Sequence, residues 1–308
     1  MANYKPALFL GEGLSLSEIN GIAKNNDIKS IVINNFEGEL FEEINPDDFK
    51  RTVMPSLKGM DFDITAYWSK IGFFAFDDEE AYQKNLEDLK NIAKICNFLK
   101  IKNVIINGIK VIKDPTYYED IILEKYKGFQ KAIEKTGISL LIYADKNTCF
   151  SDAGKLLTIA KGSGMKILFD ASAHLECGEV PMAAYRHLKD SISMFVARDV
   201  DINNNPTVLG TGEVNLLNIL RMGVKDKFEG PIILKPELPY YKNRAKYYQR
   251  SKIPGYNLFL LGNKEFKAIK MIDKLLNKGK KDTVSDEEIY RLQALALRKI
   301  IDRVEREK

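Results

Sequence analysis

Short apolar runs alternate with amphipathic stretches along most of the chain. Residues 7–10, 28–33, 104–106, 139–143, 166–169, 192–196 and 232–234 are largely apolar runs of strand length, and 60–66 alternates Phe62, Ile64 and Ala66 with polar neighbours. Between them, apolar positions return every three or four residues, as in Leu86, Leu89, Ala93 and Cys96, which predicts a helix over 77–100. The same spacing predicts helices over 16–25, 115–135, 152–161, 179–189, 215–222 and 266–276. Ser15-x-x-Glu18 and Ser285-x-x-Glu288 are capping boxes, the second opening a terminal helix that buries Ile289, Leu292, Ala296 and Ile300. Two stretches break the pattern. Residues 36–58 are acidic, then basic, and contain two prolines, so they read as an irregular excursion. Residues 67–76 read as a loop whose aromatics (Trp68, Phe73, Phe74, Phe76) either line a pocket or pack against the rim.

Eight strands mostly separated by helices are most economically closed into one parallel barrel, because buried parallel strands are apolar on both faces. The predicted fold is an α/β protein, a (β/α)8 TIM barrel over 1–278, with a C-terminal helical extension over 279–308 packed on it. A chain of 308 residues is ordinary for such a barrel.

Charge adds little that is specific. The 47 basic and 43 acidic residues are well mixed and leave a net charge of +4, which does not support a nucleic-acid partner. Cys96, Cys149 and Cys177 are far apart, as expected of reduced thiols in a cytoplasmic protein. The first apolar run is too short for a signal peptide, and no stretch is long enough to span a membrane.

Candidate chemistry gathers at strand ends, where barrels of this kind place their active sites. Asp170 follows a buried apolar strand, and a carboxylate there must be paired, solvated or metal-bound. His174 lies four residues on and could reach the same cavity. Tyr143 and Asp145 end the fifth strand, Arg198 and Asp199 the seventh, and Lys235 and Glu237 the eighth. Residues two apart in a strand share a face, so these pairs could point together into the mouth. Carboxylates to move protons and cations to hold an anion suit a polyhydroxy or phosphorylated small molecule. The bland alternative is a ring of compensating ion pairs. A Schiff-base lyase using Lys235 is a third reading.

Gly210-Thr-Gly212 lacks the spacing of a nucleotide loop, and the glycines more simply permit a tight turn whose amides could hold an anion. The basic, aromatic stretch 237–252 suits a lid or a subunit contact, the latter implying a homo-oligomer.

In order and spacing, Leu16-Ser-Glu18-Ile19, the segment 83–106, Ile167-Leu-Phe-Asp170 with His174, Val196-Ala-Arg-Asp199, Gly210-Thr-Gly212-Glu213-Val214 and Gly230-Pro-Ile-Ile-Leu234 resemble the xylose-isomerase-like TIM barrels, among them the sugar phosphate isomerases/epimerases. The resemblance implies isomerase or epimerase activity in carbohydrate metabolism. It also implies a divalent metal (Mn, Mg or Zn) held by a glutamate, an aspartate, a histidine and a glutamate after strands five to eight. Only the aspartate carries over, onto Asp170. The other three positions hold Tyr143, Val196 and Lys235, while Arg198-Asp199 matches the family's seventh-strand ending. A shifted metal site would use Asp170 with Asp145, His174 and Glu237. On this reading Asp170, His174, Glu237 and Lys235 are the catalytic candidates, and Tyr143, Asp145, Arg198, Asp199 and Trp68 contact substrate. The competing expectation is a non-catalytic carbohydrate-binding or assembly protein on a degenerate barrel.

Overall fold

The computed structural model describes residues 3–10, 16–36, 38–57, 62–110, 118–148, 152–236, 264–279 and 284–307, with Leu238, Tyr241, Arg244 and Tyr248. Eight parallel strands close into a barrel: β1 (Asn3–Leu10), β2 (Ser30–Ile33), β3 (Asp63–Trp68), β4 (Asn103–Asn107), β5 (Ser139–Tyr143), β6 (Lys166–Asp170), β7 (Ile192–Ala197) and β10 (Glu229–Leu234), which returns to pair with β1. Two short strands, β8 (Asp199–Val200) and β9 (Pro206–Thr207), form an antiparallel ribbon after β7.

Alternation along the strands divides the core in two. Leu8, Ile31, Tyr67, Ile106, Ile142, Phe169 and Phe195 face outward and pack under the helices. Ala7, Val32, Ala66, Ile105, Leu141, Leu168, Met194 and Ile233 face inward and fill the barrel. Burial on both faces accounts for the continuous apolar character of the strand sequences.

The helices are α1 (Leu16–Asn25), α2 (Pro46–Thr52), α3 (Glu79–Phe98), α4 (Glu119–Ile133), α5 (Ala153–Ser163), α6 (Ala171–Glu176), α7 (Pro181–Leu188), α8 (Leu216–Lys225), α9 (Lys264–Leu276) and α10 (Asp286–Arg306). Three elements differ from the sequence reading. Strand β3 extends to Trp68, so Tyr67 and Trp68 are strand residues, as suits two aromatics on a pleated surface. The stretch read as irregular contains α2, capped by the Asn45 side chain and opened by Pro46. Helix α6 begins directly on Asp170, which is both the last residue of its strand and the helix N-cap.

The terminal helix α10 packs against α8, α1 and β10. It therefore lies in the helical ring between α8 and α1, with Arg298 donating to the Asn26 carbonyl at 2.6 Å. The Gln293 side chain accepts from Leu209 N–H and donates to the Thr207 carbonyl, tying the helix to the ribbon. Leu238, Tyr241 and Tyr248 form a second small core with α9, α10 and Val208. Tyr241, Tyr248 and Arg244 all donate to the buried Asp273 carboxylate, so these members of the basic, aromatic stretch turn inward. Among the described residues no helix is long and apolar enough to cross a membrane.

Candidate active site

At the C-terminal end of the barrel the inward positions change character. Phe9, Trp68, Tyr143 and Val196 belong to the inner cluster, and the same parity adds Asn107 on β4, Asp170 on β6 and Lys235 just past β10. One layer above purely aliphatic side chains, the ring carries a carboxylate, an ammonium, a phenol, an amide and two large aromatics.

Asp170 is the hub, only 2% exposed. Its Oδ1 accepts from the backbone N–H groups of Ser172 and Ala173, at 2.9 and 3.2 Å, which caps α6. Its Oδ2 accepts from Arg198 Nε at 2.6 Å and from the Tyr143 hydroxyl at 3.2 Å. Arg198 also donates both terminal nitrogens to Glu176 Oε1 and Oε2, at 2.8 and 3.0 Å, a two-pronged pair that sets the guanidinium plane. Ser172 Oγ donates to the Arg198 carbonyl at 2.9 Å. Burial works against the charge on Arg198, but the Asp170 and Glu176 carboxylates outweigh it and hold the guanidinium firmly protonated. Burial, with the Asp170 charge beside it, raises the Tyr143 phenol well above its ordinary pKa. Tyr143 is therefore a neutral donor at any physiological pH.

Lys235 joins the ring from the end of β10, two strands along the barrel from Asp170. Its Nζ lies 5.5 Å from the centroid of the Phe9 ring and 5.1 Å from that of Trp68, and no carboxylate pairs with it among the described residues. Trp68 packs edge-on against Phe9 and Tyr143, at 5.2 and 4.8 Å between centroids. Its indole Nε1–H reaches Asn107 Oδ1 at 3.4 Å, while the Asn107 amide donates to the Ser69 carbonyl at 2.8 Å.

The structure thus brings together Trp68, Tyr143, Asp170, Arg198 and Lys235. It does not bring the other described candidates to them. The His174 ring lies against Phe169, which faces outward, and its Nδ1 is 2.6 Å from Glu179 Oε2. The reason is α6: the helix that Asp170 caps carries His174 to the outer side of the strand. Asp145 closes a turn, its Oδ1 accepting from Asn147 N–H at 2.7 Å. Asp199 is fully buried and accepts from the amides of Val200, Gly210, Gly212 and Val214. The anion held by the glycine turn is the chain's own Asp199. Glu237 lies outside the described residues. Of the aromatics after β3, Phe74 is buried and Phe76 packs on Tyr118, but Phe73 stays 53% exposed under the Lys110 ammonium.

Sequence reasoning missed Phe9, Asn107, Glu176 and Glu179. The first two carried a usable signal, being inward-parity residues at the ends of predicted strands. The two glutamates carried none, since their role depends on how α6 lies across β6 and β7.

No protein-family model and no curated protein matches the sequence. Solved structures do. The IOLI protein with a binding zinc atom matches with a TM-score of 0.69 at 11% identity, over 97% of this chain and 99% of that one. A xylose isomerase domain protein from Alicyclobacillus acidocaldarius matches with a TM-score of 0.63 at 13% identity, over 98% and 99%. The chain shares the (β/α)8 barrel fold of these structures. A sugar phosphate isomerase/epimerase from Parabacteroides distasonis matches with a TM-score of 0.58 at 14% identity, over 90% and 94%.

One of these neighbours holds zinc, so the mouth of this barrel invites comparison with a metal centre. The described residues do not fit one. Both Asp170 oxygens already accept two hydrogen bonds each, and a guanidinium occupies the approach to Oδ2. Lys235 brings a second positive charge to the ring, and the His174 and Asp145 acceptors are engaged elsewhere. Among the described residues no three His, Cys, Asp or Glu side chains are grouped to hold a metal ion.

Proposed function

We propose that this barrel is a sugar or sugar-phosphate isomerase or epimerase that moves a proton next to a carbonyl without a divalent metal. One observation carries the reading. An ammonium with no carboxylate partner among the described residues sits on an aromatic wall, in the same inward ring as a carboxylate–phenol pair. Trp68 and Phe9 form the aromatic wall on which the Lys235 head rests. Lys235 supplies positive charge where an enediolate oxygen or a phosphate would lie. Tyr143 keeps its proton and can turn its hydroxyl from Asp170 to a substrate oxygen, freeing a lone pair on Oδ2 to take the proton. Arg198, fixed by Glu176, holds the carboxylate in place throughout. Glu237, two residues beyond Lys235, is the alternative base.

The test is solvent exchange. A panel of aldose and ketose phosphates incubated with the protein in deuterium oxide should gain deuterium at the carbon next to the carbonyl. Asp170→Asn and Lys235→Met should each slow that exchange by about 100-fold or more. The second reading, a carbohydrate-binding barrel without turnover, is favoured by the fully occupied hydrogen-bond capacity of Asp170. Ligand-induced shifts in the Trp68 fluorescence with no deuterium gained across the panel would select it and remove the isomerase.

A further inference from the structure

A barrel of this fold that breaks a C–H bond next to a carbonyl without a metal needs another electron sink. We infer that Lys235 supplies it, capturing the open-chain carbonyl form of the substrate as an imine on Nζ. The inference rests on the isomerase reading and names how its site holds the substrate. Lys235 is the one described amine in the inward ring, and its ammonium is not committed to an ion pair among the described residues. Its backbone is fixed, since Lys235 N–H donates to the Ala197 carbonyl at 3.1 Å. Its head is placed by two aromatic rings, one of them steadied by Asn107 and Tyr143. The inner-cluster residues below it are apolar.

The step balances without an oxidant or reductant. Nζ gives a proton to water, its lone pair attacks the carbonyl carbon, and the nitrogen then gives up a second proton. The carbonyl oxygen takes up protons and leaves as water, and the positive charge passes to the C=N bond. The adjacent C–H bond then breaks. Its proton goes to a carboxylate and its electron pair moves into the iminium, forming a neutral enamine. Returning the proton to the other face and adding water releases the epimer and the free amine.

Borohydride reduces an imine to a stable secondary amine, which makes the test direct. The full chain is incubated separately with dihydroxyacetone phosphate and with pyruvate, reduced with sodium borohydride, and mapped by peptide mass spectrometry. Lys110 is the internal control, because its ammonium also rests on an aromatic ring, 3.6 Å from the Phe73 centroid, outside the inward ring. With at least one probe, the Lys235 peptide should carry about tenfold more adduct than the Lys110 peptide. Lys235→Arg should lose that adduct and keep its circular dichroism. The wild-type ratio stands even if the variant fails to fold. Equal labelling of the two lysines, or no adduct at Lys235 with either probe, overturns the imine. Deuterium exchange with an unlabelled Lys235 would leave the isomerase standing and remove only the imine, whereas a labelled Lys235 without exchange would do the reverse.

Discussion

Arg198 Nε lies 2.6 Å from Asp170 Oδ2, joining two residues 28 apart in sequence inside the mouth of the barrel. The pair is buried, and Glu176 balances the second half of the guanidinium. Removing one partner of a buried pair leaves a stranded charge. Arg198→Met should therefore destabilise the fold by about 3–5 kcal/mol. The double variant Asp170→Asn, Arg198→Met should cost less than the sum of the single changes. Urea melts of the four proteins measure this, and strict additivity would show that the contact carries no coupling.

Gly212 and Gly210 both give an amide to Asp199, but an added methyl meets different surroundings at each. At Gly212 a Cβ would stand 2.3 Å from Asp199 Oδ1 and from the Val200 carbonyl, so the turn must open. At Gly210 it would meet only Ile300 at 3.7 Å, and its cost comes from a φ of +81°. Gly212→Ala should cost about 2–3 kcal/mol and Gly210→Ala about 1 kcal/mol. Thermal melts that reversed this order would remove the Asp199 nest as the anchor of the β7–α8 connection.

Burial raises the Glu42 carboxyl above its ordinary pKa, against the pull of the Tyr67 hydroxyl and the Lys70 amide that donate to it. A carboxyl with a raised folded pKa binds its proton more readily in the folded chain than in the unfolded one. The folded state is thus favoured as pH falls through the folded value, and stability is lost as pH rises through it. In Glu42→Gln the melting temperature should lose this fall across the window just above the usual carboxyl range. An unchanged profile would remove the assignment.

Because the mouth holds two cations and a saturated carboxylate, divalent metals should leave both stability and deuterium exchange unchanged. Melting curves with and without Mn, Mg, Zn or chelator test this. A specific site filled at a hundredfold excess over its Kd would add about 2.7 kcal/mol. Such a gain would reinstate a shifted site and bring Glu237 into it.

Much of the barrel was legible before any coordinates. Runs such as 139–143 and 192–196 are apolar on both faces, which only a covered parallel strand requires, and Ser285-x-x-Glu288 capped α10 as expected. Local readings failed where long-range packing decides. Trp68 follows an alternating run and could end a strand or open a loop; its contacts with Phe9 and Tyr143 settle the matter.

Parity within the strands put Tyr143 and Lys235 at the barrel mouth, and the cost of burying a carboxylate singled out Asp170, whereas Asp145, past the end of β5, went into a turn. Two-residue periodicity and the cost of burying charge operate within a few residues, so the chain determined by itself which strand ends present polar groups to the mouth. Tertiary structure alone decided the partners. His174 turned outward because Asp170 caps a helix, Asp199 was taken up by the amides of a glycine turn, and Arg198 was claimed by Asp170 and Glu176. Hydrogen bonds and ion pairs depend on distances between segments remote in sequence, and only the closed barrel sets those distances.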